Sequence, residues 1–178
     1  QLWEKRHGDA GDGKGQAITL DSAGNVITVG YVHNGANRDG YVVKHAAGDG
    51  APLWEKLRDR GYDDEGRALW LDASDQVYVV GSSLSLSTNK DLCVARYAAD
   101  GTEKWSTIHN TVNGNIDVGV AIRGDNAGDL FVAAITNDGV SGFDDIYTYK
   151  FSRATGTLLW FAACGDAARN DRPVGIGL

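Results

Sequence analysis

Gly66-Arg-Ala-Leu-Trp-Leu-Asp72, Gln76-Val-Tyr-Val-Val-Gly81, Asp91-Leu-Cys-Val-Ala-Arg96 and Ala99-Asp-Gly-Thr-Glu-Lys-Trp105 are the four runs whose reading decides the fold of this chain. The first three are short, largely apolar and bounded by Gly, Asp or Gln, and the fourth is a polar turn leading into a tryptophan, the mark of β-strands separated by turns. The first three runs recur upstream as Gly15-Gln-Ala-Ile-Thr-Leu-Asp21, Asn25-Val-Ile-Thr-Val-Gly30 and Asp39-Gly-Tyr-Val-Val-Lys44. Downstream they recur as Gly119-Val-Ala-Ile-Arg-Gly-Asp125, Asp129-Leu-Phe-Val-Ala-Ala134 and Asp145-Ile-Tyr-Thr-Tyr-Lys150. Trp3, Trp54, Trp105 and Trp160 keep the same rhythm, 51, 51 and 55 residues apart.

The repeat sets the fold class. No segment sustains a 3.6-residue apolar period, so no helix is expected. Val77 to Val80 is continuously apolar, as a strand covered on both faces must be. Four strands in each repeat match the blade of a β-propeller; the rival β-solenoid uses shorter repeats. The expectation is an all-β chain of four-stranded antiparallel blades, about 3.5 repeat units in length. Full blades are placed at 15–59, 66–109 and 119–164. Residues 1–7 are read as the outer strand of a preceding blade and 173–178 as the inner strand of a following one. In the first blade the strands are expected at Gln16–Asp21, Asn25–Tyr31, Asp39–His45 and Leu53–Arg58, inner to outer. The ring does not close on these units, because propellers use about four to eight blades. The chain is therefore expected to be a piece of a longer protein or to share a ring with further copies. Bare blade faces predict self-association.

Composition narrows the partners. A formal net charge of −7 argues against nucleic acid. No apolar run approaches the roughly 18 residues of a membrane span. With 24 Gly and 2 Pro, the turns are made almost without proline. Cys93 and Cys164 leave both one bridge and two free thiols open.

The series Gly-x-Ala-Ile-x-x-Asp, Gly-Asn-Val-x-x-x-Gly, Asp-x-x-Val-x-Lys and Gly-x-x-x-x-Trp resembles the bacterial seven-bladed β-propeller (SBBP) repeat over nearly the whole chain. That resemblance implies a secreted or cell-surface bacterial protein. The turns Ala99-Asp-Gly-Thr-Glu-Lys-Trp105 and Ala154-Thr-Gly-Thr-Leu-Leu-Trp160 also resemble the tryptophan motif of quinoprotein propellers, although the adjacent cysteines of many such enzymes are absent.

Long, dissimilar connections follow the second and fourth strand of each unit, and antiparallel order brings both sets to one end. Binding is expected there, toward a protein or glycan. Asp12, Asp64, Asp117 and Asp171 precede successive inner strands. They are read as backbone caps, with a cation site at the channel mouth as the alternative. One inner-strand position runs Thr19, Trp70, Arg123, Gly177, and that divergence marks Trp70 and Arg123 as ligand candidates. Asp21, Asp72 and Asp125 are read as turn formers, and the four tryptophans as core wedges. Asp39, Asp91 and Asp145 are read as interblade partners of Lys44, Arg96 and Lys150. His7, His33, His45 and His109 lack metal-ligand spacing, and there is no nucleophile elbow. No catalytic residue, metal or cofactor is assigned. A binding or structural module is preferred to a fragment of a propeller enzyme, whether quinoprotein-like oxidoreductase or lyase.

Overall fold

Alternation in each strand, with both sides apolar, demands layers stacked face to face. The computed structural model describes residues 2–6, 12–84, 89–110, 116–137, 142–165 and 168–177. His7, Leu178 and parts of the long connections lie outside the described residues. Twelve strands form three four-stranded sheets, and the described residues contain no helix. The first sheet is β1 (Lys14–Leu20), β2 (Val26–His33), β3 (Arg38–His45) and β4 (Pro52–Arg58). The second is β5 (Asp64–Leu71), β6 (Val77–Leu84), β7 (Lys90–Tyr97) and β8 (Glu103–His109). The third is β9 (Asp117–Gly124), β10 (Asp129–Asn137), β11 (Asp144–Ser152) and β12 (Leu158–Cys164). Neighbours in sequence pair antiparallel throughout, each sheet running in chain order. Residues 2–6 and 173–177, the described parts of the two segments expected as single strands, have no strand assignment. A strand needs a ladder partner, and neither segment finds one here.

The middle sheet explains its own sequence. Val77, Val79, Ala95 and Tyr97 pack with Ile27, Val29 and Val42 of the first sheet. Tyr78, Val80, Leu92 and Val94 pack with Leu130, Val132, Tyr149 and Phe151 of the third. Successive side chains of β6 thus enter two different cores, which is why Val77 to Val80 has no polar position. The outer sheets have one such core each. Ile18 and Leu20 on the first sheet, and Trp160 on the third, remain exposed.

Sheets meet closely at their first strands. A Cβ on Gly66 would lie 2.2 Å from Val29 Cγ2, and one on Gly119 would lie 2.1 Å from Val80 Cγ2. Glycine recurs at this position because the first strand of one sheet lies against the second strand of the sheet before it.

The tryptophans of the fourth strands join neighbouring sheets. Trp54 Nε1 donates to Ala99 O at 3.0 Å, and Trp105 Nε1 donates to Arg153 O at 3.1 Å. Each indole lies on a buried glycine of the receiving turn, Gly101 (φ 83°) or Gly156 (φ 73°). A side chain there would strike the ring, and the left-handed backbone favours glycine independently. Trp3 makes the same contact on Gly50, with Nε1 donating to Ala47 O at 3.1 Å. Trp160 departs from the wedge expectation and is 44% exposed. Among the described residues no sheet lies against it.

The expected pairing of Asp39 with Lys44 and of Asp91 with Arg96 does not occur. Lys44 Nζ instead meets Asp21 at 2.7 Å, Lys150 meets Asp129 at 2.8 Å, and Arg96 Nε donates to Gln76 Oε1 at 3.0 Å. Asp39 accepts from Asn34. In every sheet the aspartate opens the third strand and the cation lies five residues on, about 16 Å away at 3.3 Å per residue, so the two series stand at opposite ends and do not meet between neighbouring sheets either. Cys93, buried in β7, and Cys164, exposed at the end of β12, are free thiols.

Candidate functional site

The sheets present two ends, and the predicted site residues divide between them. Asp64 and Trp70 stand six residues apart on β5, about 20 Å for an extended strand. Asp64, Asp117 and Asp171 lie toward the long-connection end, Trp70 and Arg123 toward the end with the short turns. They do not converge.

At the short-turn end, Asp21, Asp72 and Asp125 each accept from backbone N–H groups of their own turn at 2.8–3.1 Å. Trp70 packs on Tyr78 with ring centroids 5.2 Å apart, and a Cβ on Gly124 would strike its ring. Arg153 lies 5.9 Å over the same indole. Trp70, Asp72, Ser74, Asp125 and Arg153 line an open cleft of about 250 Å³ between the second and third sheets. Arg123, on the far face of the third sheet, is exposed and takes no part in that cleft.

The turn chemistry has a pH consequence. Burial alone would raise the Asp21 carboxyl, but Lys44 and Asn25 outweigh it and lower it from 3.8 to about 2. A folded pKa below the unfolded one adds stability above pH ~3.8 that is lost as pH falls through ~2. The pair is buried, so the contribution is about 2 kcal/mol. Asp21→Asn keeps the turn acceptor and removes the charge. Urea denaturation at pH 6 is expected to show the variant about 2 kcal/mol less stable, with the gap closing toward pH 2. A gap independent of pH would exclude the charge as its source.

At the long-connection end, Asp64 is fully buried and its Oδ2 accepts from Arg60 N at 3.0 Å. Burial is the main cause raising its carboxyl, opposed by hydrogen bonds from Ser83 and the Arg60 backbone. Asp117 is equally buried, and Asp171 N donates to Asp144 O at 2.6 Å. Asp12 accepts from Tyr31 OH at 3.2 Å. Among the described residues no three His, Cys, Asp or Glu side chains come together as a metal-holding set.

The densest charge cluster at this end surrounds Glu65, which the sequence reading passed over. Its buried carboxylate receives Arg38 Nη1 at 2.8 Å from the first sheet, and Arg67 Nη2 at 2.9 Å and Lys90 Nζ at 3.4 Å from its own. Burial would raise the Glu65 carboxyl, but Lys90, Arg38 and Arg67 together lower it. Arg38 also lies 4.7 Å over the Tyr31 ring, and its backbone N–H donates to Asp63 at 2.9 Å. Arg67 Nε is buried with no hydrogen-bond partner. Arg38 Nη2 also lies 3.8 Å from the exposed Asp12, and the three cations are a quarter to a third exposed while Glu65 is 3% exposed, so part of their surface, chiefly that of Arg67 and Lys90, reaches solvent. A carboxylate held ionised in this way is no general acid. The arrangement can receive an anionic group. A sequence signal existed: Glu65 and Arg67 stand where the other repeats have Lys14, Val118 and Gln16, Val120.

No family model matches the chain, and no curated protein matches it. Among solved structures it is similar to the endo-arabinase from Bacteroides thetaiotaomicron, with a TM-score of 0.53 and 14% sequence identity over 79% of this chain. The alignment takes in 57% of the endo-arabinase chain, so this chain spans less than two thirds of that protein. At this identity the likeness is one of fold alone: an all-β series of four-stranded antiparallel sheets, similar to part of an endo-arabinase.

Proposed function

We propose that the three sheets are blades of a β-propeller of the bacterial seven-bladed repeat type, secreted or held at the cell surface, that binds a protein or glycan partner at its long-connection end. The repeat, the close approach of each inner strand to the preceding sheet and the tryptophan joints all support successive blades. One observation carries the binding reading: Arg38, Arg67 and Lys90 converge between two sheets, each a quarter to a third exposed. Guanidinium forks match carboxylates in geometry and charge. The partner chemistry that fits is therefore a surface carrying carboxylates, such as a uronate-bearing glycan. Polygalacturonate and a neutral galactan, each passed over the immobilised chain, test this. Polygalacturonate is expected to be retained at low salt and released as salt rises. Arg67→Ala and Lys90→Ala are each expected to weaken retention about fivefold, for contacts of about 1 kcal/mol. Equal retention by parent and variants, or preference for the neutral polymer, would rule this end out.

A further inference from the structure

The two joints between sheets share the contact of an indole with the next sheet's turn but differ at the short-turn end. At the first joint, the turn after β1 is tied to the turn after β5. Ser22 N donates to Asp75 Oδ1 at 2.9 Å, and Ser22 Oγ donates to Asp75 Oδ2. Asp75 holds a φ of 57° at the turn position that Gly24 and Gly128 fill in the other sheets. At the second joint the tying positions are Ala73 and Gly128, and neither has a side chain that can hydrogen-bond. Three more departures from the repeat meet there. Trp70 stands in place of Thr19, Gly124 in place of Leu71, and Arg153 in place of Ala99. A Cβ on Gly124 would lie 2.3 Å from the Trp70 ring, so the indole fits only because the residue facing it is glycine. Where the first joint is tied shut, the second holds the open cleft of about 250 Å³ lined by Trp70 and polar groups.

We propose that this cleft binds one neutral sugar ring. Its volume lies just below the roughly 300–1,000 Å³ of pockets for drug-sized ligands, which leaves room for a single ring. Asp72 is occupied within its own sheet, Oδ1 by Ser74 N and Gln76 N and Oδ2 by Tyr78 OH. The other polar groups keep capacity. Asp125 uses Oδ1 alone for the three N–H groups of its turn. Arg153 bonds through Nη1 only, to Asp125 O at 3.4 Å. Asp125 Oδ2, the Ser74 hydroxyl, the Asn126 amide and Arg153 Nη2 make no hydrogen bond among the described residues. The cleft thus sets an acceptor, a donor and two groups that are both beside a partly exposed indole. Sugar hydroxyls both donate and accept, and the C–H face of a sugar ring matches an aromatic face. An anion would meet two carboxylates against one guanidinium, and a cation would meet that guanidinium. Only a neutral, polyhydroxylated ring uses every part. The cleft lies at the opposite end of the sheets from Glu65 and does not depend on the reading of that cluster.

Saturation-transfer NMR on the full 178-residue chain tests the site, with the methyl glycosides of glucose, galactose, mannose and xylose as probes. At least one is expected to bind with a Kd of about 1–10 mM, the scale of one small ring. Arg153→Ala and Asn126→Ala should each weaken binding at least about fivefold, for the loss of a hydrogen bond. Arg153→Ala keeps the backbone carbonyl that receives Trp105, and Asn126 is exposed, so both variants should melt with the parent. Ala73→Ser combined with Gly128→Asp rebuilds the tie of the first joint and should abolish binding. A Cβ on Gly128 meets nothing nearer than Arg153 Nη2 at 4.0 Å, so the added carboxylate has room. Asp75 shows that aspartate accepts a left-handed backbone at this turn position. No binding of any glycoside below about 30 mM, or unchanged binding in both single variants, would overturn the proposal. Glucuronate bound as tightly as methyl glucoside would overturn it too, by making the cleft an anion site.

Discussion

Trp105→Ala is expected to lower the stability of the chain by about 3–5 kcal/mol, in the range for removing a packed aromatic residue. The indole joins the second and third sheets. It donates to Arg153 O, lies on Gly156 and packs against Tyr78, with ring centroids 6.5 Å apart. Its removal leaves a cavity beside the larger core cluster and strips one of two donors from the Arg153 carbonyl. Trp160→Ala is the matched control. It stands at the same place in the repeat, and among the described residues no sheet lies against it, so truncation in this chain should stay within about 0.5 kcal/mol. Urea denaturation of both variants measures the difference. Equal losses would show that the tryptophans act within their own sheets rather than between them.

Gly119→Ala is expected to cost about 3 kcal/mol, the upper part of the range for overpacking a core. The added methyl would lie 2.1 Å from Val80 Cγ2 and 3.0 Å from Leu92 Cδ1, and both neighbours are fully buried. Neither can move without displacing the sheet behind it. Gly15 is the equivalent residue of the first sheet, where a methyl would meet only Thr28 Cγ2 at 3.7 Å. Gly15→Ala should therefore stay within about 0.5 kcal/mol of the parent. Thermal melts of the two variants give the comparison. Equal destabilisation would mean that this glycine serves its own strand and not the approach of sheets.

Both pairs of predictions rest on the repeat, and so did the legibility of the fold. Asp21, Asp72 and Asp125 were readable as turn formers because their acceptors serve N–H groups two to four residues away. Local chemistry of that kind is written in consecutive residues. The candidate site was much less legible. Trp70 and Arg123 occupy one slot of the repeat, yet one lies between sheets and the other on an open face, because among the described residues only the first has a sheet after it. Glu65 went unread because its partners, Arg38, Arg67 and Lys90, come from three strands in two sheets. No spacing along the chain relates residue 38 to residue 65.

What the amino-acid sequence determined alone was the unit: strands of period two, their order, the turns between them, and the absence of helix among the described residues. These follow from interactions within a strand pair or a tight turn, whose partners lie close in sequence. Tertiary structure decided which of several equivalent residues have a role. Trp54 and Trp105 are joints while Trp160 is exposed, and Gly119 is a point of closest approach while Gly15 is not. A repeat writes the same residue into every unit. Its energy depends on whether another sheet lies against it, and that is a property of the stack rather than of the strand.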